Sequence, residues 1–350
     1  MALTPEAWAG RRVFLTGHTG FKGAWAGQWL ERLGAEVTGF ALPPESSPDP
    51  HSLIGFPGRS ILGDLRDRAA VEAAVAAARP EIVLHMAAQP LVRRSYAEPL
   101  ETLATNIMGT AHLLETLRDC DGLRAVLVVT SDKVYENDET GRALAEDDAL
   151  GGHDPYAASK AAAEIVAASY RRSFLAERGV RLATARGGNV IGGGDFSEDR
   201  LVPDIIRAIR AGQPVELRNP AATRPWQHVL DCLSGYLCFL EAMMVGEAPS
   251  ALNFGPADPA DALSVAEVTA AMQMGMGVEE TWLEAAETGP VEMAKLAIDA
   301  ARAHTALGWQ GRLGSREAIR WTAEWYGAWA NGGDMRARTM DQIAAFEALP

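Results

Sequence analysis

A doubly wound α/β fold, with a parallel sheet flanked by helices and a smaller, discontinuous α/β substrate lobe, is what the sequence predicts. Three observations carry it. Short β-branched runs alternate with segments of helical length from Val13 to Ala185, the pattern of βαβ units. Runs such as Ala125-Val126-Leu127-Val128-Val129 are apolar throughout, as suits strands buried on both faces of a parallel sheet. Thr16-Gly17-His18-Thr19-Gly20-Phe21-Lys22-Gly23 places three glycines between an apolar strand and a helix, the Rossmann arrangement.

The elements follow in order. Val13 to Leu15 starts the sheet, and Lys22 to Leu33 has the length and amphipathic spacing of the first helix. Strands are expected at Glu36 to Leu42 and Ser60 to Leu62, then a helix over Arg68 to Ala78. The fourth strand is Glu81 to Ala87, followed by a helix over Leu100 to Arg118. The fifth is Ala125 to Thr130, followed by a helix over Pro155 to Arg178, and the sixth is Val180 to Ala185. After Ile191 the alternation weakens: Gly192-Gly193-Gly194-Asp195 opens a loop, and Ala251 to Phe254 returns one more strand. Residues 1–191 are therefore read as a dinucleotide-binding domain, with sheet and helix elements returning near 226–256. The substrate lobe takes 192–225 and 257–330, and 331–350 forms a C-terminal tail.

A chain of 350 residues is long for one core, which fits two lobes. A net charge of −14 argues against unaided binding to nucleic acid or anionic lipid, although local arginines can still hold a phosphate ligand. Cys120, Cys232 and Cys238 match neither a disulfide framework nor a zinc site, and no metal is expected. Met1 to Trp8 lacks the basic-then-apolar pattern of a signal peptide. The helix expected over Val229 to Val245 carries Asp231 and Glu241 and is short for a membrane span. The expectation is a soluble, cytoplasmic protein with neither nucleic acid nor membrane as a partner.

The motifs point to redox chemistry on an alcohol. Gly17 permits the tight turn, Gly20 lets backbone approach a pyrophosphate, and Gly23 lets strand and helix pack closely. The N–H groups at the helix start then face the phosphates. The second strand ends Gly39-Phe40-Ala41-Leu42 without the usual ribose-binding carboxylate, so NAD is favoured over NADP on weaker grounds than usual. Lys22 either attracts a 2′-phosphate or is an exposed helix residue. Asp64, in Gly63-Asp64-Leu65-Arg66, either contacts adenine or caps a turn.

Tyr156 and Lys160 stand four apart, on one face of a helix. A free tyrosine has a pKa near ~10 and is a poor base at neutral pH, but an adjacent ammonium favours its phenolate. Ser131, Asp132 and Lys133 follow the fifth strand, at the edge where ligands bind in open α/β sheets. Arg186, Asn189, Asp195, Arg200, Arg218, Arg224 and His228 lie in or after the last regular strand. Two or three of these arginines are expected to grip a pyrophosphate in bidentate fashion, the others forming surface ion pairs. His228 reads as an orienting or packing residue of the substrate site rather than an acid–base group.

These motifs resemble the extended short-chain dehydrogenase/reductase family and the sugar-nucleotide 4,6-dehydratases within it. The resemblance runs through Gly17 to Gly23, His85-Met86-Ala87-Ala88-Gln89-Pro90-Leu91-Val92-Arg93, Thr130-Ser131-Asp132-Lys133 and Asp154-Pro155-Tyr156. It continues in Gly188 to Asp195, Arg200-Leu201-Val202-Pro203-Asp204 and Arg224-Pro225-Trp226-Gln227-His228-Val229, and spans Arg12 to Trp329. Asp132-Lys133, where related dehydratases carry Asp-Glu, is similar to the CDP-glucose branch. The resemblance implies NAD bound by Gly17, His18, Gly20, Phe21, Lys22, Gly23, Asp64, Leu65, Ala87, Ala88, Gln89, Asn106, Tyr156 and Lys160. It also implies a nucleotide-sugar substrate held by Arg93, Asn189, Asp195, Arg200, Arg218, Arg224 and His228.

In the implied reaction Tyr156 takes the proton of the sugar C4 hydroxyl while NAD+ takes the C4 hydride. Lys133 then removes the C5 proton, Asp132 protonates the leaving C6 hydroxyl, and hydride returns to C6. A 4-epimerase needs Ser131, Tyr156 and Lys160 but has no use for Asp132-Lys133. Leu100 to Arg118 and Pro155 to Arg178 carry apolar residues on more than one face, including Leu103, Leu113, Leu114, Leu117, Ile165 and Val166, which predicts a homodimer or dimer of dimers through a four-helix bundle.

Overall fold

The computed structural model describes residues 3–224, 226–246, 248–256, 258, 261–286 and 296–350. In chain order the strands are β1 (Arg12–Thr16), β2 (Glu36–Ala41), β3 (Arg59–Leu62), β4 (Ile82–His85), β5 (Ala125–Val129), β6 (Arg181–Gly187) and β7 (Asn189–Ile191). They continue as β8 (Val215–Leu217), β9 (Thr223–Arg224), β10 (Trp226–His228), β11 (Ala251–Phe254), β12 (Leu263–Ser264) and β13 (Trp282–Glu284). Seven of them form one sheet in the order β11-β6-β5-β4-β1-β2-β3, with every neighbouring pair parallel. The chain leaves β1 toward one edge and resumes at β4 on the other side, so a crevice opens between the ends of β1 and β4.

Apolar side chains cover both faces of this sheet. Trp25 and Trp29 of helix Phe21–Arg32 and Leu233, Leu237 and Phe239 of helix Val229–Val245 pack into one core. Val71, Leu113, Leu114 and Ala167 pack into the other, from helices Arg68–Ala78, Gly109–Leu117 and Pro155–Tyr170. Burying each large aliphatic side chain contributes on the order of 2 kcal/mol, which is why an all-apolar strand such as β5 occupies the middle of the sheet.

The lobe is built from helices Leu201–Ala211, Val265–Gly275 and Ser315–Ala330 with the small pairs β7–β10, β9–β12 and β8–β13. It is tied to the sheet domain where Trp25 Nε1 donates to the Gly193 carbonyl at 2.8 Å. Residues 257, 259–260 and 287–295 of the predicted lobe, and Pro225, lie outside the described residues.

Two segments differ from expectation. The helix expected over Leu100 to Arg118 is interrupted by a π-helical turn, Ala104–Met108, between Pro99–Leu103 and Gly109–Leu117. The expected tail contains a helix, Met335–Glu347, whose Ile343 and Phe346 are buried and whose Glu347 accepts from Trp29 Nε1 and Arg32. Among the described residues, no helix is long and apolar enough to cross a membrane. No group of three or more metal-ligating side chains occurs among them, and Cys120, Cys232 and Cys238 stand free.

Candidate active site

The glycine turn is shaped for a ligand that must come close to backbone. Gly17 has φ +82, and a Cβ there would stand 2.8 Å from the Ala87 nitrogen, in the loop after β4. A Cβ at Gly23 would run into the Gly17 carbonyl. The two loops are also joined by Thr16, whose hydroxyl accepts from the backbone N–H groups of Met86 and Ala87 at 3.1 Å each. Behind Thr16 lies a chain that sequence reasoning missed: Thr16 Oγ1 to His85 Nδ1 at 2.7 Å, and His85 Nε2 to Thr110 Oγ1 at 3.0 Å. Burial, with Lys160 nearby, brings His85 down to about 3, so it is a neutral structural imidazole. The turn, with open backbone and a preformed loop opposite, fits a dinucleotide pyrophosphate.

The other residues expected at the cofactor take varied places. His18 is fully buried; its Nε2 pairs with Ser60 Oγ at 2.7 Å, and its ring lies where any side chain at Gly39 would stand. Burial and then the neighbouring His51 bring His18 down to about 4. Lys22 points inward, with its ammonium 5.6 Å from the Tyr236 ring centroid, rather than out toward a 2′-phosphate. Asp64 is engaged by Arg66, whose side-chain hydrogen bonds hold its carboxyl below the ordinary value. Leu65 is buried beneath it, against Gly109. Asn106, at the π-helical turn, accepts from the Gln89 N–H and donates to the Gln89 carbonyl and to Ser159 Oγ. It thereby joins the loop after β4 to the helix that carries Tyr156 and Lys160.

That helix, Pro155–Tyr170, starts where Asp154 accepts from the Ala157 N–H at 2.8 Å, an N-cap that fixes the position of Tyr156. Ser131 caps the short turn Asp132–Val134 after β5, accepting from the Lys133 N–H and donating to Asp132. Tyr156 and Asp132 are both buried. Burial pushes the Tyr156 phenol up, with the Ser131 hydroxyl and Arg200 drawing it back. Burial likewise pushes the Asp132 carboxyl up against the pull of Lys133, so that it retains a proton more readily than an exposed carboxyl. Lys160 Nζ donates to the Val129 carbonyl at 3.2 Å; burial and the charge of Lys22 bring it down to about 7.

Ser131, Asp132, Lys133 and Tyr156 open into a cleft of about 530 Å³ that is also lined by Arg93, Asn189, Asp195, Arg200, Arg218 and Arg224. Asp199, not anticipated from sequence, accepts from both Arg93 and Arg218, holding the two guanidinium groups side by side. Arg200 pairs with Asp195 at 3.4 Å. Two residues lie elsewhere. His228 is fully buried, caps helix Val229–Val245, and meets Trp25 and Trp321 edge-on, so it packs behind the cleft. Arg186 is no phosphate ligand: it is buried in a bidentate pair with Glu164, 2.9 Å through Nε and 2.8 Å through NH2.

Glu164 also accepts from Thr130 and Thr184, and Arg186 donates to the Tyr135 hydroxyl. Burial alone would lower the Arg186 guanidinium, yet Glu164 holds it above its ordinary value. The signal in the sequence was the spacing Tyr156, Lys160, Glu164, which puts the three on one face of the helix, the last of them charged within an alanine-rich run.

A family model described as the NAD dependent epimerase/dehydratase family matches residues 13–255. The chain is 44% identical over 348 residues to the CDP-glucose 4,6-dehydratase of Salmonella typhimurium, covering 97% of each protein. Among solved structures it resembles Thermus thermophilus UDP-glucose 4-epimerase in complex with NAD, with a TM-score of 0.77 and 25% identity over 89% of this chain and 98% of that one. It also resembles an NAD dependent NDP-hexosamine 5,6-dehydratase of tunicamycin biosynthesis, with a TM-score of 0.74 and 25% identity over 93% and 99% of the two chains.

Proposed function

The chain belongs to the NAD dependent epimerase/dehydratase family, and from that premise we propose that it converts CDP-D-glucose to CDP-4-keto-6-deoxy-D-glucose, a dehydration without net oxidation. The observation that carries the reading is that Asp132, Lys133 and Tyr156 line one cleft, an acid and a base beside the tyrosine that a simple 4-epimerase would not need. NAD is the cofactor, held by the Gly17–Gly23 turn, the Ala87–Gln89 loop, Tyr156 and Lys160; when bound it supplies the acceptor for the C4 hydride and the donor to C6.

The chain's own groups move the protons. Tyr156 takes the proton of the C4 hydroxyl, helped by the Lys160 ammonium and by a hydrogen bond from Ser131 to the same oxygen. Once C4 is a ketone the C5 proton is acidic; Lys133, as the neutral amine, removes it and gives it back to C5 once C6 has been reduced. Asp132, a carboxyl raised by burial, gives its proton to the departing C6 hydroxyl. Arg218, Arg224, Arg200 and Arg93 line the cleft and hold the pyrophosphate. Incubated with CDP-glucose, the enzyme is expected to give a product one water lighter with no accumulation of NADH, as read by mass spectrometry and nicotinamide absorbance. An epimer of unchanged mass, or NADH formed in proportion to substrate, overturns the dehydratase reading.

The same reading includes a twofold dimer. Leu113, Leu114 and Leu117 are buried in the protomer's own core and leave the seam to others: Leu100, Met108 and Ile165 are 81%, 51% and 61% exposed on helices Pro99–Leu103 and Pro155–Tyr170 and the π-helical turn between Pro99–Leu103 and Gly109–Leu117. Apolar side chains left in water on adjacent helices favour pairing with the same two helices of a second copy. Sedimentation at micromolar concentration should give a dimer or a multiple of it; a clean monomer refutes the assembly.

A further inference from the structure

We propose that Glu216 selects the nucleotide base, accepting a hydrogen bond from the exocyclic amino group of cytosine, an inference that rests on the CDP-glucose reading above. The reacting end of the cleft is fixed by Ser131, Asp132, Lys133 and Tyr156 at the edge of the large sheet. The same cleft continues to Glu216, Leu217, Arg218, Asn219 and Val265 in the lobe. A sugar whose C4 lies at Tyr156 must therefore direct its diphosphate and nucleoside toward β8. Glu216 and Arg218 are two residues apart along β8 and its continuation, so they project to the same side, roughly 7 Å from each other along the chain. With Arg218 on the diphosphate, Glu216 stands at the level of the base.

The other carboxylates of the cleft are already engaged. Asp199 accepts from Arg93 and Arg218, Asp204 from Arg207, and Asp195 from Arg200 and the Ser197 N–H. Asp132 accepts from Ser131 at the reacting end. Among the described residues Glu216 alone of these has no hydrogen bond or ion pair, although it is exposed to the cleft. Asn219 lies nearby, but an amide both donates and accepts, so it does not by itself tell one pyrimidine from another. An ionised glutamate only accepts. Cytosine offers a donor at its exocyclic amino group, whereas uracil and thymine carry an acceptor oxygen there. A lone carboxylate facing that edge attracts the first and repels the other two.

The test compares kcat/KM on CDP-glucose, UDP-glucose and dTDP-glucose for the wild-type enzyme, Glu216→Gln and Glu216→Ala. The wild type should prefer CDP-glucose. Both substitutions should lower the CDP-to-UDP ratio roughly 10- to 100-fold, and Glu216→Gln should gain activity on UDP-glucose because its amide can turn a donor toward O4. A thermal melt close to wild type, expected for a solvent-facing position, separates this result from misfolding. Variants that retain the wild-type ratio to within about twofold, or that lose activity equally on all three substrates, overturn the inference while leaving the dehydratase reading intact. A wild-type enzyme that dehydrates UDP-glucose or dTDP-glucose but not CDP-glucose defeats the base assignment and this inference together.

Discussion

Replacing Tyr156 with phenylalanine is expected to lower kcat by about 100-fold or more, with nucleotide-sugar affinity nearly unchanged, because a positioned acid–base group contributes on the order of 10²–10⁴. The ring remains to fill its buried position under the cleft, so neither the fold nor the cradle beside it is disturbed. What disappears is the oxygen that burial, Ser131 and Arg200 tune together. The loss should appear in the first half-reaction, as failure to reduce bound nicotinamide in a single turnover. Activity within a few-fold of wild type removes Tyr156 from the proposed chemistry.

The second large effect is one of stability. Glu164→Ala is expected to cost about 3–5 kcal/mol, because it leaves the Arg186 guanidinium buried without its counter-charge. Thr130 and Thr184 lose their acceptor in the same step. A shift of the denaturant midpoint too small for a cost above about 1 kcal/mol contradicts the buried-pair account. Glu164→Gln retains more of the packing and exposes an electrostatic consequence. Glu164 is the charge that raises Lys160 against burial and Lys22. With it gone the Lys160 ammonium deprotonates at a lower pH. Because the charged lysine is the form that supports the Tyr156 phenolate, activity falls as pH rises through its pKa. The descending limb of kcat/KM, set by the Lys160 that burial and Lys22 bring down to about 7, should therefore move toward acid in Glu164→Gln.

The sheet could be read from sequence because parallel strands buried on both faces must be apolar without interruption. Ala125 to Val129, within the run expected over Ala125 to Thr130, is such a strand; Glu36–Ala41 and Ala251–Phe254, near and at the sheet's two edges, admit Glu36, Thr38 and Asn253 and were read from their β-branched and aromatic residues. The reacting end was also legible, since Ser131, Tyr156 and Lys160 are placed by local structure, a strand end and a capped helix. The arginines were harder. A guanidinium suits a phosphate and a carboxylate equally, and Arg186 is distinguished by Glu164, a partner on helix Pro155–Tyr170 that packs beside β6. His228 and His18 carried the same ambiguity: an imidazole signals chemistry when it borders a cleft and only packing when the chain seals it. Helix Met335–Glu347 escaped because its apolar stripe is sparse, and the partners that stabilise it, Trp29 and Arg32, lie at the opposite end of the sequence.

The burial of His18 against Gly39 couples a position in the turn after β1 with one inside β2, and in evolutionary terms it makes them epistatic. A side chain introduced at residue 39 must first displace an imidazole that is also hydrogen bonded to Ser60. Substitution at 39 is thus disfavoured while histidine occupies 18, and becomes tolerable once that histidine has shrunk. A lineage, or a designer, seeking to change which dinucleotide the protein prefers would have to cross that two-step ridge, or else work from Leu42, which already faces solvent at the end of the same strand.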